Sequence, residues 1–170
     1  MASIFIAAGG CIGTQESAYV RDPNLPTPAQ QRDAALEAFP KVIEQLRSAG
    51  AVPLFAHGEY HECSGAGNEE RWPVDGATWS YGATSQVDPP QGVAGRAFLA
   101  EIRPGLKRLR WVIVRNDAHD ALQASRGDLT LRIHTEKTVR ITVSGPCASV
   151  SQRQHVEYGM GYRDDFLVDR

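Results

Sequence analysis

Short apolar runs alternate with segments of helical spacing along most of the chain, and this alternation constrains the fold more than any other feature. Ser3–Ala8 (SIFIAA) ends at Gly9-Gly10, Ala51–His57 reads AVPLFAH, Arg110–Val114 reads RWVIV and Val139–Ser144 reads VRITVS. Each run is short, apolar and closed by polar or glycine-containing sequence, as buried strands are. The segment DDFLVDR, Asp164–Arg170, reads as a fifth strand. After the first strand a polar loop runs to Pro26, and Thr27-Pro28-Ala29-Gln30 then supplies a helix start. Thr27 accepts from the third amide of the helix, Pro28 suits the first turn, and Gln30 reaches back as the capping-box partner. Leu36, Phe39, Ile43 and Leu46 share one face of that helix, Pro40 predicts a kink or break near Phe39, and Gly50 marks the stop.

Further helices are expected at Arg96–Ile102, within Ser125–Lys137 (SRGDLTLRIHTEK) and at Ser149–Tyr158. Strands separated by helices predict a three-layer α/β sandwich with a mostly parallel, Rossmann-like central sheet. Ligands of such sheets sit outside the carboxyl ends of the strands. That rule gathers Gly9–Glu16, His57–Cys63, Arg115–His119 and Gly145–Ser149 into one crevice. At 170 residues, without internal repeats, the chain fits a single domain, 1–170, with a long pocket-side loop at 58–92.

Apolar residues make up 42% of the chain and charged residues 22%, as in a globular protein, and the net charge of −2 leaves no basic stripe for nucleic acid. No apolar run is long enough to span a membrane, and MASIFIAAGG lacks the basic flank and length of a signal peptide. Cys11, Cys63 and Cys147 are odd in number and show no paired spacing, which suggests a reducing compartment and a cytoplasmic location.

In this order the pieces resemble the isochorismatase-like family, the cysteine hydrolases of nicotinamidase type. ASIFIAAGG looks like the family's first strand, FPKVIEQLRSAGAVPLFAH like its first helix and second strand, and GRAFLAEIRPGLKRLRWVIVRNDAHDAL like the segment leading to the strand that carries a lysine. LRIHTEKTVRITVSG with SVSQRQHVEYGMGY resembles its last strand, cysteine turn and helix. The resemblance implies a catalytic acid, lysine and cysteine. The sequence departs from each position: Ala8 stands at the acid and Arg115 or Asn116 at the lysine. Cys147 or Ser149 stands at the nucleophile, depending on which glycine of GMGY is aligned. The family also implies a homodimer or higher homo-oligomer that covers an open sheet edge.

The candidate residues carry two meanings each. Cys147, just before an expected helix start, is placed for a lowered thiol pKa and nucleophilic attack, or is a small residue in a Gly-Pro turn. Ser149 is a second nucleophile candidate or, in the favoured reading, a helix N-cap. Asp117 and His119 offer acid–base groups at a strand end, or a polar loop that caps a helix. Arg115 and Asn116 would bind substrate, Arg115 by a bidentate contact with a carboxylate. Gly145 would let backbone approach a ligand, and Trp72, Trp79 and Tyr81 would form a lid or anchor the long loop. His57, Glu59 and His61 alternate toward one side, with Cys63 continuing the row, and suit a divalent metal such as zinc, or a hydrogen-bonded rim.

Two functions follow. One is an enzyme acting on a small organic molecule by hydrolysis, elimination or cyclisation with rewired residues. The other is a non-catalytic protein that binds a ligand or serves as a structural or oligomerising subunit.

Overall fold

The computed structural model of the chain describes residues 24–63, 77–93, 95–117, 121–135 and 138–166. Helix α1 (Pro28–Ser48) begins at the expected capping box. The Gln30 amide donates to the Thr27 hydroxyl at 3.1 Å, and the Thr27 amide donates to Gln30 Oε1 at 2.8 Å. Ala35, Ala38, Phe39, Val42, Ile43 and Leu46 are its buried apolar face. The helix runs through Pro40 without a break. Pro40 is exposed, so the carbonyl it leaves unpaired one turn earlier is open to water. Gly50, at φ 84°, ends the helix as expected.

The expected parallel sheet is not what forms. Eight strands follow: β1 (Val52–Glu62), β2 (Thr78–Asp88), β3 (Val112–Asp117), β4 (Ala121–Arg126), β5 (Leu129–Thr135), β6 (Val139–Ser144), β7 (Ala148–Ser149) and β8 (Arg163–Asp165). They build one sheet in the order β3-β4-β5-β6-β2-β1-β8, with β7 beside β2. Every pairing is antiparallel. The physical reason lies in two segments. Ser125–Lys137, expected as a helix, holds the β4–β5 hairpin turn at Gly127-Asp128. Within the expected 58–92 loop lie parts of two strands: β1 runs on through Gly58 to Glu62, and β2 returns from Thr78. Hairpins need no crossover helix, so adjacent strands alternate in direction.

Helices α1 and α2 (Gly95–Arg108) pack on one face, α1 across β1, β2, β5 and β6, and α2 against α1 and β3. That face is apolar: Tyr81, Ala83, Val87, Leu122, Leu131, Ile133, Val139, Ile141 and Val143 are buried there with Phe39, Leu46, Phe98 and Ile102. Full burial of such a side chain stabilises by about 1.5–3 kcal/mol. The opposite face carries His57, Glu59, His61, Thr84, Arg132, His134, Arg140 and Thr142, all partly or fully exposed. The described residues thus form two layers rather than three, with one sheet face left to solvent. Helix α3 (Gln152–Gly159) follows β7 and brings Tyr158 against Trp79 and Val150 in a small second core.

Candidate functional site

The Gly145–Ser149 turn is held from three sides. The Gly145 amide donates to the Tyr81 carbonyl at 3.1 Å. Gln31, fully buried on α1, donates to the Pro146 carbonyl at 2.9 Å and to the Pro26 carbonyl at 3.0 Å, while its Oε1 accepts from the Tyr81 amide at 3.1 Å. A Cβ at position 145 would land on the Gln31 side chain. Gly145 therefore makes room for a buried amide, not for a ligand. The cysteine is also spoken for: Cys147 is disulfide-bonded to Cys63, with Cα atoms 5.9 Å apart. This corrects the expectation of unpaired cysteines. A sulfur in a disulfide has no thiolate with which to attack a substrate carbon.

Ser149 lies in β7, opposite Thr78, and the cap of α3 is Ser151 instead. Ser151 and Gln154 form a second capping box, the same pattern as Thr27 and Gln30. The signal was present in the sequence two residues beyond the serine chosen.

Of the four loops expected in one crevice, 57–63 and 145–149 meet among the described residues, at the Cys63–Cys147 disulfide. Arg115, Asn116 and Asp117 belong to β3 at the far edge, paired with Gln123, Leu122 and Ala121 of β4. Four strand spacings separate β3 from β2, roughly 19 Å at the usual separation. The antiparallel order therefore takes the candidate acid and substrate-binding residues away from Cys147. Gly9–Glu16, Trp72 and His119 lie outside the described residues.

His57, Glu59 and His61 do share the open face of β1, as the alternation predicted. Glu59 Oε1 lies 3.8 Å from Nε2 of each histidine. Zinc bonds of about 2.0–2.1 Å bring tetrahedral donors to roughly 3.4 Å, closer than this. A zinc-bound imidazole also hands its second N–H to an acceptor, and His57 Nδ1 is buried with no hydrogen-bond partner among the described residues. No group suited to a metal ion is found among the described residues. The His61 ring instead lies over Gly82, 3.0 Å from where a Cβ would stand.

Trp79 and Tyr81 are interior residues. The Trp79 indole donates to His155 Nδ1 at 3.0 Å. The Tyr81 hydroxyl donates to Asp164 Oδ2 at 2.7 Å, and Arg32 grips the same carboxylate through Nε at 2.7 Å and Nη2 at 2.6 Å. Tyr162 completes the cluster, 2.7 Å from Arg32 Nη2 and 3.2 Å from Asp164 Oδ1. The Arg32 hydrogen bonds, aided by Tyr81, hold the Asp164 carboxyl below its ordinary pKa against the opposing effect of burial. Burial, then the bond to Asp164, raises Tyr81, and burial pushes Tyr60 up to about 12. Arg32, Tyr81, Asp164 and Tyr162 are hydrogen-bonded to one another. They clamp β8 to α1 and the sheet rather than offering a reactive atom.

A mostly apolar concavity lies elsewhere. A groove of about 600 Å³ runs along α1, with Phe39, Ile43, Ala56, Leu109 and Phe166 as its floor and Lys41, Glu44 and Arg47 at its rim. It exists because β8 pairs with only the middle of β1, at His57–Glu59. Phe166 then turns inward to meet Phe39, ring centroids 5.0 Å apart, and both line the groove with Ala56. Sequence reasoning placed Phe39 and Ile43 in a core, and no periodicity shows which core residues will border a gap.

No protein-family model, curated protein or solved structure matches the chain.

Proposed function

We propose that this domain is a non-catalytic binding module that takes a small, mostly apolar molecule in the groove between α1 and the Phe166 end of β8. The groove carries the reading: its volume suits a small ligand, its floor is aromatic and aliphatic, and its charged groups are confined to the rim. The pairing of Cys147 with Cys63 weighs against the alternative enzyme reading, in which that thiol was the nucleophile. The same pairing favours an oxidising compartment over the cytoplasm. No helix among the described residues is long and apolar enough to cross a membrane. We also infer self-association through β3, the outer strand of the sheet, where Val112 and Val114 are 65% and 62% exposed.

Neutral probes test the groove. N-phenylnaphthylamine and octanol are expected to bind the wild-type chain saturably and to compete with each other. Ser48→Trp and Leu109→Trp, each at a residue that lines the groove, should each weaken binding by about tenfold while the fold's melting temperature holds. Unchanged affinity in both variants would sink the proposal.

A further inference from the structure

Helices α1 and α2 end in the same hydrogen-bonded motif. In α1, the Ala51 amide donates to the Leu46 carbonyl at 3.1 Å and the Gly50 amide to the Arg47 carbonyl at 2.8 Å. In α2, the Trp111 amide donates to the Leu106 carbonyl and the Arg110 amide to the Lys107 carbonyl, both at 2.9 Å. The motif needs a left-handed residue, which α1 supplies with glycine. In α2 that residue is Arg110, at φ 65°, the only non-glycine residue with positive φ among those described. A side chain there is strained where glycine is not. The chain contains its own control for this cap, and α2 departs from it with an arginine.

Arg110 borders a pocket of about 490 Å³ that shares no residue with the α1 groove. Arg126 lines the same pocket, with Pro26, Ala34 and Leu129 as apolar wall. Arg126 makes one contact, Nη2 to Glu37 Oε1 at 3.1 Å, and its other donors remain available. Glu37 is also neutralised by Lys41 Nζ at 2.9 Å. No ion pair or hydrogen bond of the Arg110 side chain is found among the described residues. Asp128 is the other carboxylate at the pocket. At the pocket the two guanidinium groups of Arg110 and Arg126 face two carboxylates, of which Glu37 is already paired.

We infer that this pocket binds a small aliphatic carboxylate, its anionic end on the guanidinium groups of Arg110 and Arg126 and its hydrocarbon part against Pro26, Ala34 and Leu129. Guanidinium geometry matches a carboxylate, and the apolar wall distinguishes this ligand from a bare inorganic ion. The left-handed Arg110 is the local strain that places one of the two forks.

The test is an amide chemical-shift titration of the full chain with hexanoate, with inorganic phosphate as comparator. Hexanoate should saturably shift Arg110, Gly127 and Leu129, and phosphate should bind more weakly. Arg110→Gly and Arg110→Asn both accept the left-handed backbone and should melt no lower than wild type. Each should bind hexanoate at least about tenfold more weakly, the loss of a charge-assisted bond. Three results would each overturn the inference: unchanged hexanoate affinity in both variants, shifts centred on Ile43 and Phe166 instead, or phosphate binding that equals hexanoate.

Discussion

Asp164 gathers three residues onto one side chain, Arg32 from α1, Tyr81 from β2 and its own neighbour Tyr162. Gly58 is part of the same arrangement, because a Cβ there would fall on the Tyr81 hydroxyl. Gly58→Ala should therefore destabilise by about 1–3 kcal/mol through overpacking. Tyr81→Phe should cost about 1.5–3 kcal/mol through loss of a bond to a charged acceptor. Both are read by denaturant unfolding. The carboxyl has a lower pKa folded than unfolded, so its contribution is complete above the unfolded value of about 3.9 and fades as pH falls through the folded one. The stability gap between wild type and Asp164→Asn should accordingly narrow below about pH 4; a constant gap would show that the carboxylate's charge is not what stabilises. None of this cluster was legible in the sequence. Arg32, Asp164 and Tyr81 lie far apart along the chain, and an ion pair leaves no periodic trace. The Tyr81 aromatic ring drew attention for a pocket, while its hydroxyl was already committed to the interior.

At the scale of elements, caps were the readable part. Thr27 with Gln30, and Gly50, set the limits of α1 from local chemistry alone. Ser151 with Gln154 does the same for α3, two residues beyond Ser149. The β4–β5 hairpin was misread because charged and turn residues interrupt its apolar content. Yet Leu129, Leu131 and Ile133 alternate strictly, and all three are buried. Period two was the better signal there. The disulfide lies between elements: Cys63 follows β1, Cys147 precedes β7, and 84 positions separate them. Spacing along the chain says nothing about such a pair. Its reduction, or Cys147→Ala, should lower stability by about 2–4 kcal/mol. Iodoacetamide should leave Cys63 and Cys147 unlabelled until a reductant is added, as followed by peptide mass spectrometry. Labelling without reductant would restore the free-thiol reading.

For the whole molecule, the sequence conveyed that helices and strands pack together but not the direction of the strands, so the expected α/β class gives way to an antiparallel sheet with helices on one face. Direction depends on whether a connection is a hairpin or a crossover, and two hairpins were hidden in segments taken for helix and loop. The correction also changes where function can reside, since an antiparallel sheet brings no set of strand ends into a shared crevice. It leaves two unequal borders. β8 covers part of β1, whereas β3 has no strand on its outer side among the described residues, is bulged between Ile113 and Arg115, and presents Val112 and Val114 to solvent. If two copies join along β3, Val112→Lys with Val114→Lys should convert a dimer to a monomer in light scattering after size-exclusion chromatography. A wild-type chain that is monomeric at every concentration would remove that inference.

The late position of β8 has a biosynthetic consequence. A ribosome that has delivered α1 and the β1–β2 hairpin has not yet delivered the strand that closes their shared flank or the carboxylate that Arg32 holds. The nascent chain must carry an unsealed strand and an unmatched guanidinium until translation passes Asp165. A helper that shields β1 during synthesis would therefore act on a transient surface that the finished protein no longer displays.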